Sequence, residues 1–300
     1  MKSKYLVILL LLIPAVSLAD LSIFTCEPEW AALADELGAS HVKTSSATNA
    51  LQDPHYIQAR PSLISKVRRA DLVICSGAQL EIGWLPMLLR KGNNPGVMPG
   101  TPGFFEASMF VNRLDVTLST DRSQGDAHPQ GNPHIQVNPH NILLVAKALS
   151  GRMIELDAEH RSDFEHAFEV FSKRWNKAIE DWEQRALPLR GKRVIAHHKS
   201  WVYLENWLGL EEVATLEPVP GIPPTAGHLG SLLERFSDTS SADFIIRAPF
   251  QSEKPSFWLS ERSGIPAIML PLTVGGSKQA EDLFSLFDDI LDRLLGAESS

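Results

Sequence analysis

Short apolar runs rich in β-branched residues alternate with amphipathic runs twice along this chain, and no other feature narrows its fold as much. From Leu21 to about Arg152 the order is LSIFTC, EPEWAALADELG, HVKTSSAT, the proline-headed PSLISKVRRA and DLVICSG. After Gly191 the rhythm returns as KRVIAH, SWVYLENWLGL, EEVATLE, HLGSLLERFSD, ADFIIRAP, FWLSERSG, IPAIMLP and a closing helix from about Gln279 to Leu295. Strands separated by helix-length runs pair in parallel, because the intervening helix carries the chain back to the start of the next strand. The expected class is α/β, with two Rossmann-like lobes of parallel sheet over residues 20–152 and 188–300.

Residues 153–187 are expected to join the lobes as one long helix. From Asp157 to about Arg185, Phe164, Phe168, Phe171, Trp175, Ile179 and Trp182 recur three or four apart, which gathers them on one face. At 1.5 Å per residue this helix extends on the order of 40 Å. That is enough to run along both lobes. Its aromatic stripe reads as core packing instead of a ligand box. With no Gly/Ser linker between the lobes, the joint is expected to be rigid and lobe motion limited.

The first nineteen residues stand apart from this pattern. Lys2 and Lys4 precede an apolar run from Tyr5 to Val16 and the small-residue stretch Ser17-Leu18-Ala19, the pattern of a secretory signal peptide cleaved before Asp20. A lipid anchor would need a cysteine at the cleavage point, whereas Cys26 lies inside the first strand-like run, so a soluble exported protein without an anchor is expected. Loss of Lys2 and Lys4 takes the formal charge from −8 to −10. Such a balance argues against nucleic acid or an anionic membrane surface and suits a cationic ligand better. The two cysteines, Cys26 and Cys75, each close an apolar β-like run. In an oxidising compartment they are expected to form a disulfide, with a pair of buried free thiols as the alternative.

Three of the ten histidines occur where a strand should end or a proline turn begins: His55 in LQDPHYIQ, His134 in GNPHIQVNPHN and His198 in VIAHHKSW. Ligands of parallel α/β lobes gather at the carboxyl ends of strands. A proline just before His55 and before His134 fixes the direction of the chain. Three neutral imidazoles with a fourth oxygen or water make a Zn²⁺ site, while Mn²⁺ and other harder ions favour carboxylates. A single histidine is more often a surface or backbone-bonded residue; three in equivalent settings point to a metal.

The series DPH, proline-headed helix, ADLVICSGAQLEIGWL, NPHIQVNPHN, long helix and VIAHHKSWVYL resembles the cluster A-I metal-binding proteins of ABC transporters, the periplasmic zinc-binding subunits in particular, over nearly the whole chain after residue 19. The resemblance implies two α/β lobes joined by one helix, with Zn²⁺ held in the cleft between them. It implies delivery to a permease in the inner membrane, powered by a cytoplasmic ATPase, and a monomeric protein. Matched motif by motif, it assigns His55, His134 and His198 as metal ligands, two from the first lobe and one from the second. His197 competes with His198, but adjacent residues of RVIAH point to opposite faces and the spacing to Lys-Ser-Trp-Val-Tyr favours His198.

The chain departs from the family at the fourth ligand. Arg247 and Pro271 stand where relatives carry carboxylates, leaving water, Asp53 or Glu217 as candidates. Glu217 is expected chiefly as a turn or helix-entry residue, and Glu81 as a support of the first lobe. The stretch 119–141, with Asp121, Asp126, His128 and His140, resembles a short version of the family's histidine-rich loop, which captures metal and passes it on. The other reading is a solvated loop without function, and under either one removal of residues 121–130 is expected to spare the cleft site.

Two further functions are weighed. A zinc hydrolase would need a positioned carboxylate base; no HExxH is present, and Glu205 follows His198 by seven, a spacing of no special meaning. A protein binding a metal chelate would need a wide cleft lined by groups such as Trp201, Trp207, Arg247 and Trp258. Mn²⁺ or Fe²⁺ in place of zinc completes the alternatives.

Overall fold

A computed structural model of the chain describes residues 20–117, 125–126, 128–237 and 242–298. The expected signal peptide, and Asp121, lie outside the described residues. Strands β1 (Leu21–Thr25), β2 (Val42–Ser46), β3 (Leu72–Cys75) and β4 (Phe104–Glu106) form one parallel sheet in the order β2-β1-β3-β4. Strands β5 (Arg193–Ala196), β6 (Glu211–Thr215), β7 (Phe244–Arg247) and β8 (Ala267–Met269) form a second in the order β6-β5-β7-β8. The two lobes thus repeat one topology although the sequence carries no repeat of fixed period. β4 escapes a sequence reading because its three residues follow a Gly/Pro-rich stretch and run straight into a 3₁₀ turn, whereas the equally short β8 lies inside the longer apolar run IPAIMLP.

Proline and glycine set the helix boundaries. In α1 (Pro28–Gly38), α2 (Pro61–Arg68), α3 (Leu85–Gly92) and α4 (Pro139–Leu156) a proline occupies the first or second position, where its missing N–H costs no hydrogen bond. Next come α5 (Arg161–Arg185), α6 (Val202–Leu208), α7 (Ala226–Arg235), α8 (Glu253–Ser263) and α9 (Leu283–Glu298). Gly209 and Gly264 end α6 and α8 in the left-handed conformation that lets the chain leave a helix sharply.

The expected spine is present as α5. It begins at Arg161 and not at Asp157, because Ala158–His160 forms a separate 3₁₀ turn with the Asp157 side chain accepting from the His160 N–H. Its stripe faces inward as predicted: Phe164, Phe171, Trp175, Ile179 and Trp182 are buried, and Phe168 packs partly against them. α5 lies against α1 and α4 on one side and α9 on the other. Trp175 and Trp182 meet Phe287 of α9, and the Trp175 indole donates to the Pro139 carbonyl of α4. The resulting apolar cluster is continuous through both lobes, while smaller clusters fill the outer side of each sheet.

Polar bonds also cross between the lobes. Thr273 donates to the Glu29 carboxyl, Tyr203 donates to the Asn132 carbonyl and accepts from the Leu114 N–H, and Asn132 donates to the Lys199 carbonyl. Cys26 and Cys75, at the ends of the paired strands β1 and β3, form a fully buried disulfide with their Cα atoms 4.8 Å apart. Cys26 is therefore committed within the first lobe. No helix among the described residues is long and apolar enough to cross a membrane.

Candidate metal centre

The carboxyl ends of both sheets face one cleft, and the residues singled out from the sequence lie there. His55 sits on the connection between β2 and α2, His134 just before α4, and His198 two residues beyond β5. One ring nitrogen from each of the three lies within 4.8 Å of the others. The rings stand 5.6 to 5.9 Å apart at steep mutual tilts, as groups facing a common point do.

Each ring is held by its Nδ1 atom. In Asp53-Pro54-His55 the Asp53 Oδ1 accepts from the His55 backbone N–H at 3.0 Å and lies 2.7 Å from the ring Nδ1. Asn132-Pro133-His134 repeats the device, with Asn132 Oδ1 at 3.0 Å from both the backbone N and Nδ1 of His134. The Asn132 amide cannot be turned around, because its Nδ2 donates to the Lys199 carbonyl at 2.8 Å. His198 uses a distant partner, Glu217, whose Oε2 is 2.7 Å from Nδ1. Glu217 lies two residues past β6, and the same oxygen accepts the Gly221 N–H. With Nδ1–H committed to an oxygen, the Nε2 of each ring keeps the lone pair that can coordinate a metal.

Electrostatics follows from burial and these partners. Burial, then the neighbouring His55 and His198 charges, hold His134 well below its usual range. His198 is also buried, which alone would lower it, but the hydrogen bond and charge of Glu217 outweigh burial and raise it. Burial would raise Asp53, yet its bonds to His55 bring it below the ordinary value.

Several expectations change. Asp53 and Glu217, candidates for the fourth ligand, each present one oxygen to an imidazole Nδ1. Glu217 is thus more than a turn residue. His197 lines the cleft beside His198 but stays outside the three-ring cluster, and burial pushes it down to about 4. Arg247 bonds the carbonyls of Ala248 and Gln251 and the Glu253 carboxylate within its own lobe. Glu81 does support the first lobe, accepting the Gly77 N–H in a buried setting that pushes its carboxyl up to about 7.

The two other loop histidines part company. His140, third residue of the second Asn-Pro-His triplet, bonds the exposed Glu183 of α5 and stays at the surface. His128 reaches the cluster instead: its Nε2 is 3.2 Å from Nε2 of His55. Sequence reasoning placed His128 on a capture loop, since nothing local to GDAHPQ reveals a contact with a residue 73 positions earlier.

A cleft of about 480 Å³ opens beside the cluster, lined by Asp53, Tyr56, Asp126, His197, Glu217 and Phe250 among others. Trp201 is fully buried, Trp207 and Trp258 pack on the lobe cores, and none of the three lines this cleft. The aromatic side chains that do line it are Tyr56 and Phe250.

Comparison with known proteins agrees with this architecture. The chain is 21% identical to the manganese ABC transporter substrate-binding lipoprotein PsaA of Streptococcus pneumoniae, over 87% of this chain and 83% of that protein. Its fold superposes on the crystal structure of ZnuA with a TM-score of 0.77 at 19% identity, covering 93% and 99% of the two chains. It also superposes on the Mn-bound periplasmic metal binding protein from Candidatus Liberibacter asiaticus, with a TM-score of 0.70 at 16% identity, covering 91% and 98%. The curated relatives are named as substrate-binding components of ABC transporters and not as enzymes, so the hydrolase reading is set aside. The model of the family "Zinc-uptake complex component A periplasmic" matches residues 23–297, so the chain belongs to that family, the cluster A-I substrate-binding proteins of metal ABC transporters.

Proposed function

We propose that this protein binds Zn²⁺ with high affinity in the periplasm, through His55, His134 and His198, and delivers it to the permease of an ABC transporter. The observation that carries this reading is the common anchoring of the three rings: each Nδ1 is fixed on an oxygen, so three Nε2 atoms from two lobes face one point. Neutral nitrogen donors suit zinc, a borderline cation, at Zn–N distances of about 2.0 to 2.1 Å. The negative charge that balances the ion lies one step back, on Asp53 and Glu217, where it polarises the rings without occupying a coordination position. The open cleft gives the ion a route in and out.

Manganese is the second reading, because the curated relatives bear that name. A hard cation prefers carboxylate oxygens, and of the three carboxylates that line the cleft, Asp53 and Glu217 hold ring Nδ1 atoms and Asp126 holds the Tyr56 hydroxyl. Zinc is therefore favoured.

The test is metal content and competition titration of chelator-stripped protein, for the wild type and for His55→Ala, His134→Ala and His198→Ala. One tight Zn²⁺ equivalent, weakened by each substitution and preferred over Mn²⁺, is expected. Equal or tighter Mn²⁺ binding would reverse the choice of metal, and indifference to all three substitutions would remove the site.

A further inference from the structure

We infer that His128 is the fourth protein ligand of this centre, completing a tetrahedral site of four imidazoles in place of the carboxylate or water expected from the sequence. This deepens the zinc reading above and rests on it. The Nε2 atoms of His55 and His128 are 3.2 Å apart, and the rings are tilted 36° with centroids 5.3 Å apart. In a tetrahedron with Zn–N of about 2.0 to 2.1 Å, neighbouring nitrogens are about 3.3 Å from each other. The His55–His128 pair thus already spans one edge of such a site. The His128 ring also approaches His134 edge-on at 6.5 Å.

The backbone around His128 is held where this role requires it. The Asp126 N–H donates to the Pro220 carbonyl of the second lobe at 2.8 Å. From the first lobe, the Tyr56 hydroxyl donates to the Asp126 carboxylate at 2.9 and 3.2 Å. Gly125 and Gly221 both have positive φ, and a Cβ on either would collide, at Gly125 with the Pro220 carbonyl and at Gly221 with the Asp126 carboxylate. Two glycines therefore permit the close approach of Gly125 and Asp126, the latter two residues before His128, to Pro220 and Gly221. The ring is half-buried beside the Ala78 backbone, and among the described residues its buried Nδ1 has no side-chain oxygen to hold it, unlike those of the other three histidines. Its Nε2 meets that of His55 at 3.2 Å while lying outside the set of three ring nitrogens that gather within 4.8 Å, so an ion would draw it in from the His55 side.

A site of four neutral nitrogens has a chemical consequence. It fills the coordination shell that zinc prefers and leaves no hard oxygen donor for manganese, so His128 is a specificity-determining ligand as well as a tight-binding one.

The test is X-ray absorption spectroscopy of the zinc-loaded protein together with competition titration against Zn²⁺ and Mn²⁺, for wild type, His128→Ala and His128→Gln, and with His55→Ala as a reference. The expected result is four imidazole nitrogens in the wild type and three with one oxygen in both His128 variants. Zinc affinity should fall at least about tenfold, with a narrower preference over Mn²⁺ and unchanged melting of the metal-free protein. Tyr56→Phe, which removes the hydroxyl that holds Asp126 without contacting Glu217, should weaken zinc in the same direction but less. An unchanged nitrogen count and affinity in the His128 variants, with His55→Ala still crippling, would overturn this inference and leave the three-histidine function standing. Loss of zinc specificity in the wild type itself, with His55→Ala harmless, would overturn both.

Discussion

The Nδ2 atom of Asn132 donates to the carbonyl oxygen of Lys199 at 2.8 Å, joining the residue that orients His134 in the first lobe to the residue that follows His198 in the second. One side chain thus sets a ring tautomer and ties two lobes at the cleft.

These two duties can be separated. Asn132→Asp keeps an oxygen for His134 Nδ1 but loses the donor to Lys199, whereas Asn132→Ala loses both. Zinc affinity should drop by about 10- to 100-fold in Asn132→Ala and by less in Asn132→Asp, while thermal stability drops in both. Equal affinities for the two variants in a chelator competition would show that the oxygen does not orient the ring.

Glu217 holds His198 from nineteen residues away. Glu217→Ala leaves the imidazole free to rotate, and an affinity loss of about 10- to 100-fold is expected at constant fold. Glu217→Gln retains an oxygen acceptor without the charge and should fall between wild type and Ala. Titration of the three proteins side by side checks the order.

Glu205 gives the metal-free protein a particular pH dependence. Burial, then the like charge of Glu212, push its carboxyl up to about 8, with Lys199 opposing and Asp115 adding to the rise. Between its unfolded value near 4.5 and 8, the folded state keeps a proton that the unfolded state releases, so stability falls as pH rises through that window. Glu29 and Glu81, each at about 7, act in the same direction. Below about 6.5 the lowered histidines His128 and His197 act oppositely, so the decline shows cleanly from about pH 6.5 to 8. Thermal unfolding across that range should give a shallower slope for Glu205→Gln; an unchanged slope would assign the effect elsewhere.

The Cys26–Cys75 bond closes a loop of 49 positions between adjacent strands. Replacing both cysteines by alanine should lower the unfolding free energy by about 2 to 4 kcal/mol. Denaturant unfolding measures this, and an intact mass two hydrogens lighter than the reduced chain confirms the bond in the wild type.

Much of the architecture was legible in the sequence because hydrophobic periodicity is a local property. The alternation of β-like and helical runs gave two parallel sheets, and the Phe164-to-Trp182 stripe gave the spine. The three clustered histidines could be picked out because their settings, two after proline and one past a strand, lie in short stretches of chain. β4 lacked the flanking apolar run that marks the equally short β8, and the start of α5 depended on a 3₁₀ turn capped by Asp157.

Roles that depend on distant partners could not be read this way. Asp53-Pro54-His55, Asn132-Pro133-His134 and Asn138-Pro139-His140 are the same local motif, and in each the first residue accepts the histidine N–H. Sequence alone determined that shared turn, since proline geometry and a short polar side chain suffice for it. Only the tertiary structure decided that the first two rings fold back toward a shared point while His140 turns outward to Glu183, that Glu217 serves His198, and that His128 meets His55. The physical reason is range: a turn is fixed by residues two positions apart, whereas a coordination sphere is fixed by which strand ends and loops the packed lobes bring within a few ångströms of each other.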